Sequence, residues 1–332
     1  MKKKVLITGV SGFLGSWLYL SIKDKFKVYG IDNFSTGNHV LFNSLDISKK
    51  NFFYVDIRDN KKCENIFKKI KPDYVIHLAA QPFVSKGVED PSETYSQNII
   101  GTLNMLNLSS KYTSGVFLNF TTDKVYYNLN SKKPFKENDV IIGTDPYSNS
   151  KSCADNIGQI YRDFKGLKVT TFRAGNIIGG GDWGINRLIP DYYKSILKKK
   201  KLLIRQPNST RPWQHVIFIT KSINKFLTHY NRKFITDFNI GPLSKNFYTV
   251  RKIIKYLEKN SFKKPMIKYV DDNIFNEKKH LSLNSNKFYK IFRMKPNSNI
   301  ERDILFTDKV YKSIINKDKN LIKIMIKQLE EY

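Results

Sequence analysis

The start of the chain most constrains what it can fold into. VLIT (residues 5–8) is a short β-branched run, and Gly9-Val10-Ser11-Gly12-Phe13-Leu14-Gly15 follows it directly. A strand, a turn with glycines at three-residue intervals and a helical pattern over residues 13–24 make the opening of a parallel βαβ unit. Glycines let the backbone approach a pyrophosphate, whose charge the N-terminus of the following helix then stabilises. The second apolar run, VYGID (28–32), ends in Asp32 with Asn33 next to it. A carboxylate there would hold an adenosine ribose and repel a 2′-phosphate. The third run, FFYVDI (52–57), closes on Asp56-Ile57, where an adenine would sit.

The alternation continues. YVIHLAA (74–80), VFLNF (116–120) and VTTFRAG (169–175) are further near-continuous apolar runs, with helical patterns at 60–70, 92–110 and 146–164 between them. Strands without a polar face, joined by helices, are covered on both sides. The expected fold class is therefore α/β, with a Rossmann-type doubly wound parallel sheet. Asp145-Pro146 supplies a helix start, Asp as N-cap and Pro at the first helical position. Beyond about residue 175 the pattern breaks into Gly- and Pro-containing loops. Residues 1–175 are expected to form the dinucleotide-binding domain. Residues 176–332 are expected to be mainly a smaller mixed α/β substrate-binding lobe, with later returns of the chain to the first unit.

A net charge of +29 would suit a nucleic-acid binder if the cations were gathered on one face or tail. Here they are scattered, and the longest run, Lys198–Lys201, ends a helix-like stretch where cations suit the C-terminal dipole. Asn, Ile and Lys are all plentiful, a general compositional bias, so nucleic acid is not an expected partner. Basic charge would still attract an anionic small substrate. No apolar stretch nears the ~18 residues that cross a membrane. The apolar segment after MKKK is too short for a signal peptide and runs into the glycine loop. Cys63 and Cys153 give neither a disulfide framework nor a metal spacing, so a cytoplasmic location without a metal is expected.

At the end of the fifth run stands FTTDKVYYN (120–128), which sets an acid beside a base. An ordinary turn would use Gly, Pro or Asn, and none appears before Asn128. Tyr147 and Lys151 lie four apart on the predicted helix 146–164 and so share one face. A nearby ammonium lowers a phenol's pKa, which suits Tyr147 to act as base toward a sugar hydroxyl. Thr122, Asp123 and Lys124 end the strand before that helix and are expected to face the same nicotinamide.

The glycine loop, HLAAQP (77–82), the threonine-containing strand end and Tyr147-x-x-x-Lys151 resemble the extended short-chain dehydrogenase/reductase superfamily over essentially the whole chain. Within it, TTDKVY, DPYSNSKSCA (145–154), RAGNIIGGGDW (173–183), RLIPD (187–191) and RPWQHV (211–216) are similar to the CDP-D-glucose 4,6-dehydratase family. Leu14 departs from that family, which often carries lysine there, and the chain is shorter than typical members.

The resemblance implies a tightly bound NAD held by Gly9, Gly12, Phe13, Leu14, Gly15, Asp32, Asn33, Asp56, Ile57, Leu78, Ala79, Ala80, Thr121, Tyr147 and Lys151. It implies that Thr122 binds the sugar 4-hydroxyl and that Asp123 protonates the departing 6-hydroxyl. Lys124 would assist C5 proton removal, as a neutral base or as a charged stabiliser. Gln81, Asn176, Arg187, Leu188, Arg205, Arg211 and His215 are the expected substrate contacts, with Trp213 beside them and the arginines suited to a diphosphate. His77 is expected to pack within its strand. The implied product is a 4-keto-6-deoxy sugar for surface polysaccharide. In that superfamily the helices 92–110 and 146–164 form a four-helix bundle with a neighbour, so a homodimer or dimer of dimers is expected. Ile99, Leu103, Leu106, Ile157, Ile160 and Tyr161 would supply its apolar face. A nucleotide-sugar 4-epimerase of the same superfamily is the competing reading, because it would use Tyr147 and the cofactor without needing Asp123 and Lys124. A basic nucleic-acid-binding protein is the remote one.

Overall fold

The apolar runs assemble into one seven-stranded parallel sheet, seen in a computed structural model that describes residues 1–36, 40–130, 132–230, 234–242, 247–270, 278–294 and 299–332. Its strands are β1 (Lys4–Thr8), β2 (Lys27–Asp32), β3 (Phe52–Tyr54), β4 (Tyr74–His77), β5 (Phe117–Thr122), β6 (Val169–Ala174) and β7 (Asp237–Ile240). They lie in the order β7-β6-β5-β4-β1-β2-β3. Chain direction across the sheet reverses between β1 and β4, the switch point at which doubly wound sheets open a crevice beyond their strand ends.

Helices α1 (Phe13–Ile22), α2 (Asn60–Ile70), α3 (Gly101–Tyr112) and α4 (Pro146–Lys165) cover the two faces. Val5, Ile7, Ile76 and Leu118 pack toward one core, and Leu6, Val75 and Phe117 toward the other, which is why the strands carry no polar face. At the start of α4 the Asp145 carboxylate accepts from Ser148 N at 3.0 Å, and the Ser148 hydroxyl accepts from Asp145 N at 3.1 Å. Gly166, in the left-handed region at φ +66°, ends the helix.

The expected helix 92–110 is present and widened in its middle. Pro91–Tyr95 is a short helix, Ser96–Ile100 a π-helical turn, and α3 follows. The wider turn lets the buried Asn98 side chain accept from Gln81 N (2.8 Å) while donating to Gln81 O (3.1 Å) and Ser150 Oγ (2.9 Å). Of the residues expected on a dimer face, Leu106 is instead fully buried among Ile66, Phe67 and Val75. Ile157 and Tyr161 pack half-buried against that same core. Ile100, Ile160 and Phe164 are the exposed apolar side chains on these helices.

A second core joins Tyr192, Tyr193, Leu202, Ile204, Ile254, Ile304 and Tyr311. It is built from α5 (Leu188–Lys198), α7 (Val250–Asn260) and α8 (Ile300–Ile315), together with the strand Leu202–Ile204. Between these, α6 (Val216–Thr228) crosses back to pack on α1, and β7 extends the main sheet. Among the described residues no helix is long and apolar enough to cross a membrane. Cys63 is buried, Cys153 half-buried, and both are free thiols.

Candidate active site

A cleft of about 730 Å³ opens at the C-terminal ends of the strands, between the sheet and the second lobe. Its floor is the glycine turn, with Gly9, Gly12, Phe13, Leu14 and Gly15 all lining it. Gly9 stands at φ +76°, and a Cβ there would come within 2.7 Å of Ala79 N. At Gly15 a Cβ would meet Gly9 O at 2.2 Å, so any side chain would push the turn away from its helix. Asp32 braces this turn. One carboxylate oxygen accepts from Ser11 N (2.9 Å), and the other accepts from Phe34 N (2.8 Å). Asn33 donates to Asp56 at 2.9 Å, and Arg58 pairs with the same carboxylate at 2.8 Å, holding it below the usual carboxylate range. Ile57, Leu78, Ala79, Ala80 and Thr121 continue the wall.

The cleft narrows at the end of β5. Asp123 begins a 3₁₀ turn in which Thr122 Oγ1 accepts from Lys124 N (3.3 Å) and donates to Asp123 Oδ1 (3.1 Å). Asp123 is only 3% exposed, and its Oδ2 has no hydrogen-bond partner, so a solvated surface ion pair is ruled out. Burial pushes its carboxyl up to about 6, against the pull of Lys124, Thr122 and Arg211.

Across the cleft, α4 presents Tyr147 and Lys151. The Lys151 ammonium donates to Phe120 O at 2.9 Å, and burial lowers its pKa to about 8 while Asp155 opposes that shift. The expected lowering of the Tyr147 phenol does not occur. Burial raises it to about 12, and the groups that pull it down are Arg187 and Thr122, while Asp123 and Asp145 raise it further. Lys151 is engaged by a carbonyl, and desolvation of a buried phenolate outweighs the remaining charges.

Behind this wall of the cleft lies a pairing that local sequence did not reveal. Arg173 of β6 donates twice to Asp155 of α4, both at 2.8 Å, and also to Asp237 of β7 at 3.2 Å. Thr121 donates to the same Asp155 carboxylate at 2.9 Å. The last residues of β5 are thus tied to α4 twice, through Lys151 and through Asp155.

The second lobe supplies the outer wall, with Asn176, Arg187, Leu188, Arg205, Arg211 and Trp213 lining the cleft. Arg187 is held in place by Asp182 (3.0 Å), by the Pro82 carbonyl (3.3 Å) and by the Phe83 ring, 5.1 Å below its guanidinium. Residues 6–302 match the sequence profile of the GDP-mannose 4,6 dehydratase family. The chain belongs to that family.

Individual relatives share sequence and fold with this chain. The CDP-glucose 4,6-dehydratase of Salmonella typhimurium is 35% identical over 272 residues, 76% of this chain and 74% of that one. Among solved structures, a dTDP-glucose 4,6-dehydratase from Bacillus anthracis in complex with NAD superposes with a TM-score of 0.78 at 25% identity, covering 97% of this chain and 99% of the other. A UDP-glucose 4-epimerase from Thermus thermophilus in complex with NAD gives 0.83 at 22% identity, covering 93% and 99%, a likeness of fold.

Membership of the 4,6-dehydratase family does not bring every expected side chain to the cleft. Gln81 is 3% exposed and fully used inside the protein, accepting from Phe83 N and donating to Phe83 O (3.1 Å) and Thr94 Oγ1 (2.8 Å). His215 is completely buried, caps α6 by accepting from Ile217 N at 3.3 Å, and packs against Trp17, Phe306 and Tyr332. Neither touches the cleft: the chain turns inward at both places, which a motif string cannot show. His77 packs between Thr8 and Thr102, 2.8 and 3.0 Å away. Ser11, Ser35, Thr36, Asp182 and Trp183 also line the cleft, and sequence reasoning gave them no role. Their signal was their position beside Gly12, Asp32 and the GGGDW string.

Proposed function

We propose that this chain is an NAD-dependent 4,6-dehydratase of a nucleotide-activated hexose, CDP-D-glucose first. The observation that carries the reading is Asp123: buried, protonated more readily than an ordinary aspartate, with an unpartnered oxygen, and lining one cleft with Lys124, Tyr147 and Lys151. The glycine turn fits a dinucleotide, because a Cβ at Gly9 or Gly15 would collide with backbone. Gly9 to Gly15, Asp32, Asn33, Asp56, Ile57 and Leu78 to Ala80 would hold it, with Tyr147 and Lys151 at its nicotinamide end. When bound, NAD accepts a hydride from C4 of the sugar and returns one to C6.

The chain's own residues do the rest. Thr122 orients the 4-hydroxyl, and Tyr147 takes its proton as the C4–H bond breaks. With its phenol raised to about 12 in the ligand-free cleft, Tyr147 would do so as the phenolate that the positive charge of a bound nicotinamide favours. The resulting 4-keto group acidifies C5–H. Lys124, acting as the base, would take that proton and give it back to C5 as hydride reaches C6, and Asp123 delivers its own proton to the departing 6-hydroxyl, which leaves as water. Arg205 and Arg211 would pair with the diphosphate, and Arg187, which lines the cleft and whose charge lowers the Tyr147 phenol, would contact the substrate beside it. A 4-epimerase would leave Asp123 and Lys124 without work. Two free thiols support a reducing, cytoplasmic location. The exposed Ile100, Ile160 and Phe164 support a homodimer through α3 and α4.

Product NMR after incubation with CDP-, dTDP-, GDP- and UDP-hexoses tests the reading. A 4-keto-6-deoxy sugar from one of them is expected; a C4 epimer that keeps oxygen at C6 would replace the proposal with the epimerase.

A further inference from the structure

The run Lys198–Lys201 does more than complement a helix end. Lys199, the residue after α5, stands in the left-handed region at φ +50° and turns the chain sharply. The turn sends Lys200 and Lys201 back along the helix toward the strand Leu202–Ile204, whose Leu202 and Ile204 are buried in the second core. As a result Lys198, Lys200 and Lys201 all line the cleft mouth while remaining exposed, and Lys199 does not line it.

Charge along the cleft is strongly uneven. Arg205 and Arg211 line its substrate half below these lysines. The carboxylates there are largely committed: Asp182 pairs with Arg187 at 3.0 Å and Asp191 with Lys194 at 3.7 Å. At the far end, the charged lining residues are Asp32 and Asp56. A cleft lined by one sign of charge focuses its field and raises the rate at which an opposite charge enters. Lys198, Lys200 and Lys201 sit on the rim, so their field acts over about a Debye length, ~10 Å at 0.1 M salt.

We propose that Lys198, Lys200 and Lys201 form an electrostatic funnel that captures the diphosphate end of the substrate and hands it to the arginines below. This rests on the nucleotide-sugar reading of the cleft. The funnel acts on association, leaving the bound state to the inner residues.

Trp183 and Trp213 line the cleft, so tryptophan fluorescence reports entry of a ligand. Stopped-flow mixing of the NAD-loaded protein with CDP, UDP, dTDP and GDP, at about 20 to 500 mM NaCl, gives association and dissociation rates. The variant Lys198→Gln/Lys200→Gln/Lys201→Gln should associate about 5- to 10-fold more slowly than the parent at low salt, with unchanged dissociation, and the two should converge at high salt. A second variant, Lys2→Gln/Lys25→Gln/Lys27→Gln, removes the same charge from exposed sites at the opposite end of the sheet and should associate like the parent. Equal slowing in both variants would assign the effect to net charge and overturn the funnel. So would a rim variant that alters only dissociation, or association that ignores salt while binding saturates. If no diphosphate perturbs the fluorescence at millimolar concentration, the nucleotide-sugar reading itself fails, and the funnel with it.

Discussion

Asp123 gains its acidity range from burial, and that has a cost in stability. Its carboxyl sits near 6 in the folded protein and near 3.8 when exposed. Between those values the folded state holds more protons than the unfolded one, so stability falls as pH rises through that window and stays lower above it. Asp123→Asn should therefore stabilise the ligand-free protein by up to about 3 kcal/mol near neutral pH, with the difference vanishing below about pH 4. Denaturant titration at the two pH values checks this, and equal stability at both would mean the carboxylate is solvated.

In the proposed reaction the same group would serve elimination. Asp123→Asn with Lys124→Met should keep C4 oxidation while slowing water loss by at least ~100-fold, the usual scale for a lost acid–base pair. Quenched turnovers should contain a 4-keto sugar that retains its 6-hydroxyl, and solvent deuterium should not enter C5. Parent-rate dehydration would reduce the pair to a structural role. Asp32 predicts cofactor choice: both its oxygens already accept backbone N–H groups, and IDNFSTGN offers no arginine to a 2′-phosphate. Binding of NADP weaker than NAD by at least ~10-fold is expected in equilibrium titration.

At the scale of elements, β1, β2, β4, β5 and β6 were readable because strands covered on both faces are apolar throughout, and α4 because Asp145, Pro146 and Gly166 mark its ends. What stayed hidden depends on partners distant in sequence. Asn98 widens its helix to reach Gln81 and Ser150, and nothing near residue 98 announces either partner. Gln81 and His215 stand inside cleft motifs, yet their side chains are used by Thr94 and Ile217. Arg173 and Asp155 lie on different elements, and their pairing exists only once β6 packs beside α4. Both are completely buried, so Asp155→Ala would strand a guanidinium in the core. It should cost about 3–5 kcal/mol in denaturant titration, whereas Asp155→Leu with Arg173→Met should cost much less. A loss below ~1 kcal/mol for the single variant would mean that Asp237 compensates alone.

For the whole molecule, the decisive surface is the outer side of α3 and α4. Ile160 is 52% exposed, Phe164 80% and Ile100 47%, on the helix that carries Tyr147 and on the turn leading into α3. Their neighbours Leu106 and Tyr161 are already committed to the protein's own core, so a partner could cover only this outer row. Covering it with a second copy would remove those side chains from water at roughly 25 cal/mol per Å² of apolar surface. It would also brace α4 from the side opposite the cleft. Light scattering at about 10 µM should give a particle heavier than the 38.8 kDa chain. Ile160→Asp with Phe164→Asp should return it to the single-chain mass without unfolding α4, because both positions face solvent within one chain. A parent protein that scatters as one chain at that concentration would leave the exposed row without a partner and sink the dimer. A double variant that stays assembled would move the contact to another face.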